Sequence, residues 1–297
     1  MVIVAGPGVA SAIRNQFNQV SDAIGSGTVG ENFYDAVDLP DPENGTAFAV
    51  YSEDDHSLMF YKRRGVPQVG DMFNYRTVTE VYTGFEDSEA LYDENNYPIS
   101  PFSGLESEVM AMNVVDSGIA PRFMDGWFFS FKKLSSVSKF NMFDLKRCQS
   151  LKYAMFGCES LRSIDLSSLN CPVLTTTGGL FERCWYLEDV NMDGLYAPQL
   201  KNLWFMFYGS SLRRLDLSSW KIGEIELAQS MFNECHQLES LTMPKNIIFH
   251  DSANLSEMFY NCKSLFLDCS DWNVSVSTQH DWFSYNTRSV TLPKAWK

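Results

Sequence analysis

MFGCESLRSIDLSSL (155–169) and MFYGSSLRRLDLSSW (206–220) are two copies of one pattern: a Met-Phe pair, a leucine, then alternating apolar and polar residues ending in Asp-Leu-Ser-Ser. The pattern recurs outward from these copies. Its other marks are Trp127-Phe128 through Leu134, Leu180-Phe181 through Cys184 and Leu187, Met231-Phe232 through Cys235 and Leu238, Met258-Phe259 through Cys262 and Leu265, and a closing Trp282-Phe283. Successive phenylalanines are 28, 25, 26, 25, 27 and 24 residues apart. Self-similarity at such a period marks a solenoid built from units too small to enclose a core alone.

Each mark is followed by a short alternating stretch, as in Ser163-Ile-Asp-Leu-Ser167, Asp189-Val-Asn-Met192, Arg214-Leu-Asp-Leu-Ser218, Ser240-Leu-Thr-Met243, Phe266-Leu-Asp-Cys269 and Ser289-Val-Thr-Leu292. Alternation with period two predicts a strand whose Ile164/Leu166, Val190/Met192 and Leu215/Leu217 face inward. One strand per repeat predicts a parallel sheet. The outward column is then Asp165, Asn191, Asp216, Thr242, Asp268 and Thr291, beside Arg214 and Phe266. A row of short polar side chains suits recognition of a glycan or a protein; the competing reading is a plain solvated face. Trp220 and Trp272 follow their strands where Leu169 and Leu195 stand in other units, so they are expected in the core rather than stacked on a sugar.

The chain has seven cysteines, an odd number, and none before residue 148. A Cys three positions after the phenylalanine in three units (Cys184, Cys235, Cys262) predicts a buried ladder of reduced thiols, with Phe131 and Asn286 replacing Cys in the end units and the units at 156 and 207 one residue short. No CxxC pair exists, so no zinc site is expected.

Net charge is −14, concentrated between residues 31 and 116, where 18 Asp and Glu face 4 Lys and Arg. That balance excludes a phosphate-binding surface, so nucleic acid is not an expected partner. The break near 116 is a candidate boundary. Ala47-Phe-Ala-Val-Tyr51 and Leu58-Met-Phe-Tyr61 predict a hairpin around Glu53, Asp54 and Asp55. Three adjacent carboxylates cannot all turn onto one calcium ion, so a solvated turn is expected. Thr77–Thr83 predicts a further strand and 86–101 an acidic loop.

At the N-terminus, Ile13, Phe17, Val20 and Ile24 are spaced 4, 3 and 4 apart, the stripe of an amphipathic helix. It either packs on its own chain or forms a bundle with identical chains, a trimer being one such assembly; a virion protein is a further candidate partner there. Gly25-Ser-Gly-Thr after it reads as a flexible linker. No signal peptide and no apolar run long enough to insert in a membrane is read. The expected organisation is therefore helix and linker at 1–30, an acidic β-rich module at 31–101, and a solenoid of about seven units at 102–297.

The pattern [ML]-F-x-x-C-x-x-L followed by x-L-x-L-S resembles the BspA-like leucine-rich repeats of bacterial surface proteins, over residues 102–297. The resemblance implies a leucine-rich-repeat solenoid and adhesion or surface recognition without catalysis. Four scattered histidines, and the absence of nucleophile-elbow, Walker and dinucleotide motifs, agree with a non-enzyme that needs no cofactor. A carboxylate pair for glycoside hydrolysis is the enzymatic alternative. Expected partners are a host-surface glycan or protein. The expected location is a virion surface, as a phage fibre or decoration, or the extracellular face of a bacterium, as an adhesin.

Overall fold

In the computed structural model, residues 40–297 are described. The stripe Ile13, Phe17, Val20 and Ile24 lies outside them.

The expected hairpin forms from Thr46–Ser52 and Ser57–Arg63, pairing antiparallel with Phe48 opposite Tyr61. Glu80–Thr83 adds to its outer edge. On the other edge, Ala111–Val114 runs parallel to Ser57–Arg63, and Ser136–Ser138 runs parallel to Ala111–Val114. The hairpin sheet therefore leads into the parallel strands of the repeats, and buried residues from Ala47 to Phe283 form one core. Within the hairpin loop, Asp54 accepts from the Thr77 amide at 2.7 Å and Asp55 binds Arg76, so these carboxylates tie the loop to the chain at 76–77. The acidic stretch at 86–101 is more ordered than a loop. Leu91–Tyr92 pairs with Pro98–Ile99 because Asp93 Oδ1 accepts from the amides of Asn95 and Tyr97, closing a tight turn.

From Phe123 onward the chain winds as a β-solenoid of about seven coils. The predicted strands pair in parallel register: Ile164 with Val190, Leu215 with Leu241, Leu267 with Val290. Their inward residues are buried, except Leu267, Val290 and Leu292 near the end, which are half-buried. Two features depart from the expected single sheet. The strands form two-stranded ladders, and each coil meets its neighbours at further places. Tyr196–Ala197 pairs with Lys221–Ile222, and single bridges link Phe123, Ser150, Thr176, Asn202 and Leu227 in succession. Among the described residues there is no α-helix, only three 3-10 turns. The coil is thus closed by strand-like and turn segments, without the helix that many leucine-rich repeats place opposite the strand.

The repeated Met-Phe motif makes a turn segment at 124–131, 151–158, 177–184, 203–210, 228–235, 255–262 and 280–287. In coil three, the amides of Thr177, Gly179, Phe181 and Arg183 donate to the next coil, while those of Leu180, Glu182 and Cys184 donate back three residues. The amide of Gly178 donates to the Thr176 hydroxyl at 3.1 Å, so the turn leaves none of these backbone donors unpaired. The alternation demands two left-handed residues per turn. They are Gly126, Tyr153, Gly179, Phe205, Ser230, Glu257 and Trp282 in one column, and Ser130, Gly157, Arg183, Gly209, Glu234, Asn261 and Asn286 in the other.

These bonds correct the register read from the phenylalanines. The Phe128 amide donates to Ala154, and the Met155 amide to Leu180, just as Phe181 donates to Met206. Met155, not Phe156, therefore occupies the core column, and Cys158 stands three residues after it, in line with Cys184. The coil at 156 is not short. Likewise Asn286 aligns with Asn261, so Thr287, not Asn286, follows Cys262 in the ladder; in the coil at 207 the position belongs to Ser210. The ladder is Phe131, Cys158, Cys184, Ser210, Cys235, Cys262 and Thr287. Each thiol in it donates to the carbonyl of the core-column residue one coil back, as Cys184 Sγ does to Met155 at 3.1 Å.

Candidate functional site

The residues proposed as a binding column, Asp165, Asn191, Asp216, Thr242, Asp268 and Thr291, all lie exposed on the strand face, with Arg214 and Phe266 beside them. Four of these side chains hold the backbone. Oδ1 of Asp165, Asn191, Asp216 and Asp268 accepts from the amide two residues on, at 2.9–3.1 Å. This Asx turn swings the chain off the strand and explains the recurrent Asp-Leu-Ser. The Ser218 hydroxyl and amide hold the Asp216 carboxyl below the usual carboxylate range, and the Ser270 amide and hydroxyl do the same for Asp268. Phe266 is covered by the Arg288 guanidinium, 4.5 Å from its ring centre. Trp220 is buried, with Nε1 donating to the Met192 carbonyl, and Trp272 packs against the core.

A second face is chemically richer. The residue after each core-column position points outward from the turn segment: Phe129, Phe156, Glu182, Tyr208, Asn233, Tyr260 and Tyr285. With neighbours from the left-handed column they make a band of rings along the solenoid. Phe129 stacks on Phe156 at 4.5 Å; Tyr153 meets Phe156 at 5.5 Å and Trp204 at 5.2 Å; Trp204 meets Phe205, and Phe205 meets Tyr208. Tyr97, from the 91–99 hairpin, extends the band at one end by packing on Phe129. At the other end Tyr260, Trp282 and Tyr285 form a second cluster, with Trp282 60% exposed. Trp185 and Tyr186 flank the band and are exposed.

Polar groups interrupt the rings at chosen places. Glu182 takes one place in the outward column, and burial raises its pKa to about 7, against a partial lowering by Arg183. Lys152 Nζ sits 4.8 Å from the Tyr92 ring centre and 5.4 Å from that of Tyr153. Between Tyr208 and Tyr260 the column carries Asn233, and there a cleft of about 400 Å³ opens, lined by Tyr208, Asn233, Glu234, Glu257, Tyr260 and Trp282. A second cleft of about 360 Å³ lies alongside, bounded by Trp185, Tyr208, Ser211, Glu234 and His236. Among the described residues no group of three or more His, Cys, Asp or Glu stands together as a metal would need. All seven cysteines are buried and free of disulfides. Burial pushes Cys184 and Cys235 up to about 12 and Cys158 and Cys262 well above the ordinary thiol value, so no thiolate nucleophile is available there.

This face is not legible in the sequence because the two positions after each core phenylalanine look like interchangeable spacers. The available signal was the aromatic residue directly after it in Phe129, Tyr208 and Tyr260.

The family model described as "Mycoplasma protein of unknown function, DUF285" matches residues 123–247 and 199–296, together more than half of the chain. The two matched stretches lie on the coils that carry the motif and its outward face. No curated protein and no solved structure matches the chain.

Proposed function

The chain belongs to the DUF285 family, and from that membership and its solenoid form we propose that it is a non-enzymatic surface-recognition protein whose binding surface is the aromatic turn face. One observation carries this reading: rings from Tyr97 to Tyr285 lie along the turn segments of the solenoid while the strand face spends its carboxylates on turns. Tyr97, Trp185, Tyr186, Trp282 and Tyr285 are exposed, while Phe156 is buried and the rings between are half-buried; exposed aromatic area marks interaction sites on soluble proteins, and Tyr and Trp give rigid contact area with a polar handle. The leucine-rich class of the repeat, and adhesion to a host-surface glycan or protein, belong to the same proposal. So does display on a virion fibre or decoration, or on a bacterial surface, with Ile13, Phe17, Val20 and Ile24 as the attachment or oligomerisation stripe.

A glycan-active enzyme is the second reading, because Glu234 and Glu257 line one cleft. Both are held as acceptors: Glu257 by Ser230 and Asn233, Glu234 by Asn261 at 2.6 Å, with His236 at 3.0 Å. That arrangement favours a fixed lining over a proton donor. The test is a glycan and protein array probed with the wild-type chain and with Trp185→Ser/Tyr208→Ser/Trp282→Ser. Specific spots lost in the triple variant support the reading; spots retained by it contradict it, and release of sugar from arrayed glycans supports the enzyme instead.

A further inference from the structure

Within the aromatic band, the cleft between Tyr208 and Tyr260 differs from the rest in charge and in hydrogen-bonding sense. Tyr208 and Tyr260 belong to coils two apart, and with about 4.8 Å between paired strands the coils carrying these walls are about 10 Å apart. The coil between them offers Asn233 where its neighbours offer rings, so the walls are not filled by an intervening aromatic. Trp282 meets Tyr260 at 6.3 Å and closes one side.

The polar groups of this cleft are mainly acceptors. Asn233 is 6% exposed, and its Oδ1 has no hydrogen-bond partner while its Nδ2 donates to Glu257 Oε2 at 3.0 Å. Glu257 and Glu234 add carboxylates, and no Lys or Arg is among the residues lining the cleft. Elsewhere on the band Lys152 supplies positive charge beside the rings and Arg183 lies over Phe156, so this negative cleft is local.

We propose that the cleft between Tyr208 and Tyr260 receives a basic side chain, arginine or lysine, of a partner protein, deepening the recognition reading on which it rests. A basic side chain has donors and no acceptor, matching the carboxylates of Glu234 and Glu257 that line the cleft. Its cation is attracted to the faces of Tyr and Trp, and a guanidinium plane stacks against such rings while donating at its edge. A neutral sugar would leave the carboxylate charge uncompensated.

The test titrates the full chain with a capped Gly-Ser peptide carrying one arginine, the same peptide with lysine, the same with citrulline, and a methyl hexoside, by calorimetry at 50 and 300 mM salt. The arginine or lysine peptide binds, the citrulline peptide binds about tenfold or more weakly, and affinity falls with salt. Glu257→Gln weakens the basic peptide about tenfold with its thermal midpoint kept; Trp282→Ala, at an exposed position, weakens it independently of any effect on the core. Equal binding of the citrulline and arginine peptides, tighter salt-independent binding of the hexoside, or no binding of the basic peptides overturns the inference. If array binding persists in the last case, the recognition reading stands without it; if array binding is also absent, both fail.

Discussion

The Cys262 thiol donates to the Phe232 carbonyl oxygen in the preceding coil, 3.0 Å away. The same bond recurs from Cys235 to Phe207, Cys184 to Met155 and Cys158 to Phe128. Cysteine serves this column because it is small enough for the coil spacing and carries a weak donor for a carbonyl pointing along the solenoid axis. Ser210 holds the place in one coil, its hydroxyl 3.4 Å from the Cys235 sulfur. The native chain is therefore expected to leave an aromatic disulfide reagent unreacted over minutes, with all seven thiols reacting once it is unfolded. Cys262→Ala is expected to lower stability by about 1–2 kcal/mol through the lost contact and donor. Rapid reaction of the folded chain would show the ladder to be open.

The two left-handed columns give a paired prediction. Gly209 has φ +74°, and a Cβ there would run into the Trp185 ring. Gly209→Ala is expected to cost about 2 kcal/mol and to shift the Trp185 fluorescence. Gly157, at φ +66°, has only Ser130 at 3.6 Å, and the matching positions in later coils carry Asn261 and Asn286. Gly157→Asn is expected to fall within about 0.5 kcal/mol of wild type. Denaturant titration compares the two; equal losses would contradict the assigned columns.

Glu182 sets a pH dependence. Its folded pKa, about 7, lies above the unfolded carboxyl value because burial disfavours the charge. The folded state therefore binds its proton more tightly. The resulting stability is fully present below about pH 4.5 and is lost as pH rises through about 7. Relative to Glu182→Gln, which stays neutral, the wild-type chain is expected to lose about 2 kcal/mol between pH 5 and 8, allowing for partial solvent screening. Thermal midpoints of both proteins across this range check it; a constant difference would contradict the burial of the charge.

Removing residues 1–25 is expected to leave the solenoid folded and to abolish self-association or particle attachment. Light-scattering mass and the unfolding transition, measured on both chains, test this. An unchanged mass together with retained attachment would contradict the role proposed for Ile13, Phe17, Val20 and Ile24.

Much of the coil was legible because strands announce themselves by period two: Ile164, Val190, Leu215 and Leu241 are inward as their alternation requires. The turn segment has no such signal. Each turn segment holds two left-handed residues four positions apart, and these places hold Tyr153, Phe205 and Trp282 as well as glycine, so residue type does not mark them. The Met-Phe pair then misled the register by one at Phe156, where Met155 fills the core and the phenylalanine joins the outer band. Asp165 and Asp216 looked available for a ligand because sequence does not show that their Oδ1 atoms close a turn two residues on. Tyr208, Asn233 and Tyr260 gained meaning only when stacking placed them side by side across coils.

Recognition by the turn face is tested most directly by a labelling experiment that the burial of all seven native thiols makes possible. A single exposed cysteine is placed on the turn face by Tyr208→Cys or on the strand face by Thr242→Cys, capped with a bulky maleimide, and each labelled chain is applied to the glycan and protein array. The label at 208 is expected to abolish the specific binding seen with the wild-type chain, and the label at 242 to leave it intact. Binding that survives the label at 208 and disappears with the label at 242 would contradict it and return recognition to the strand face.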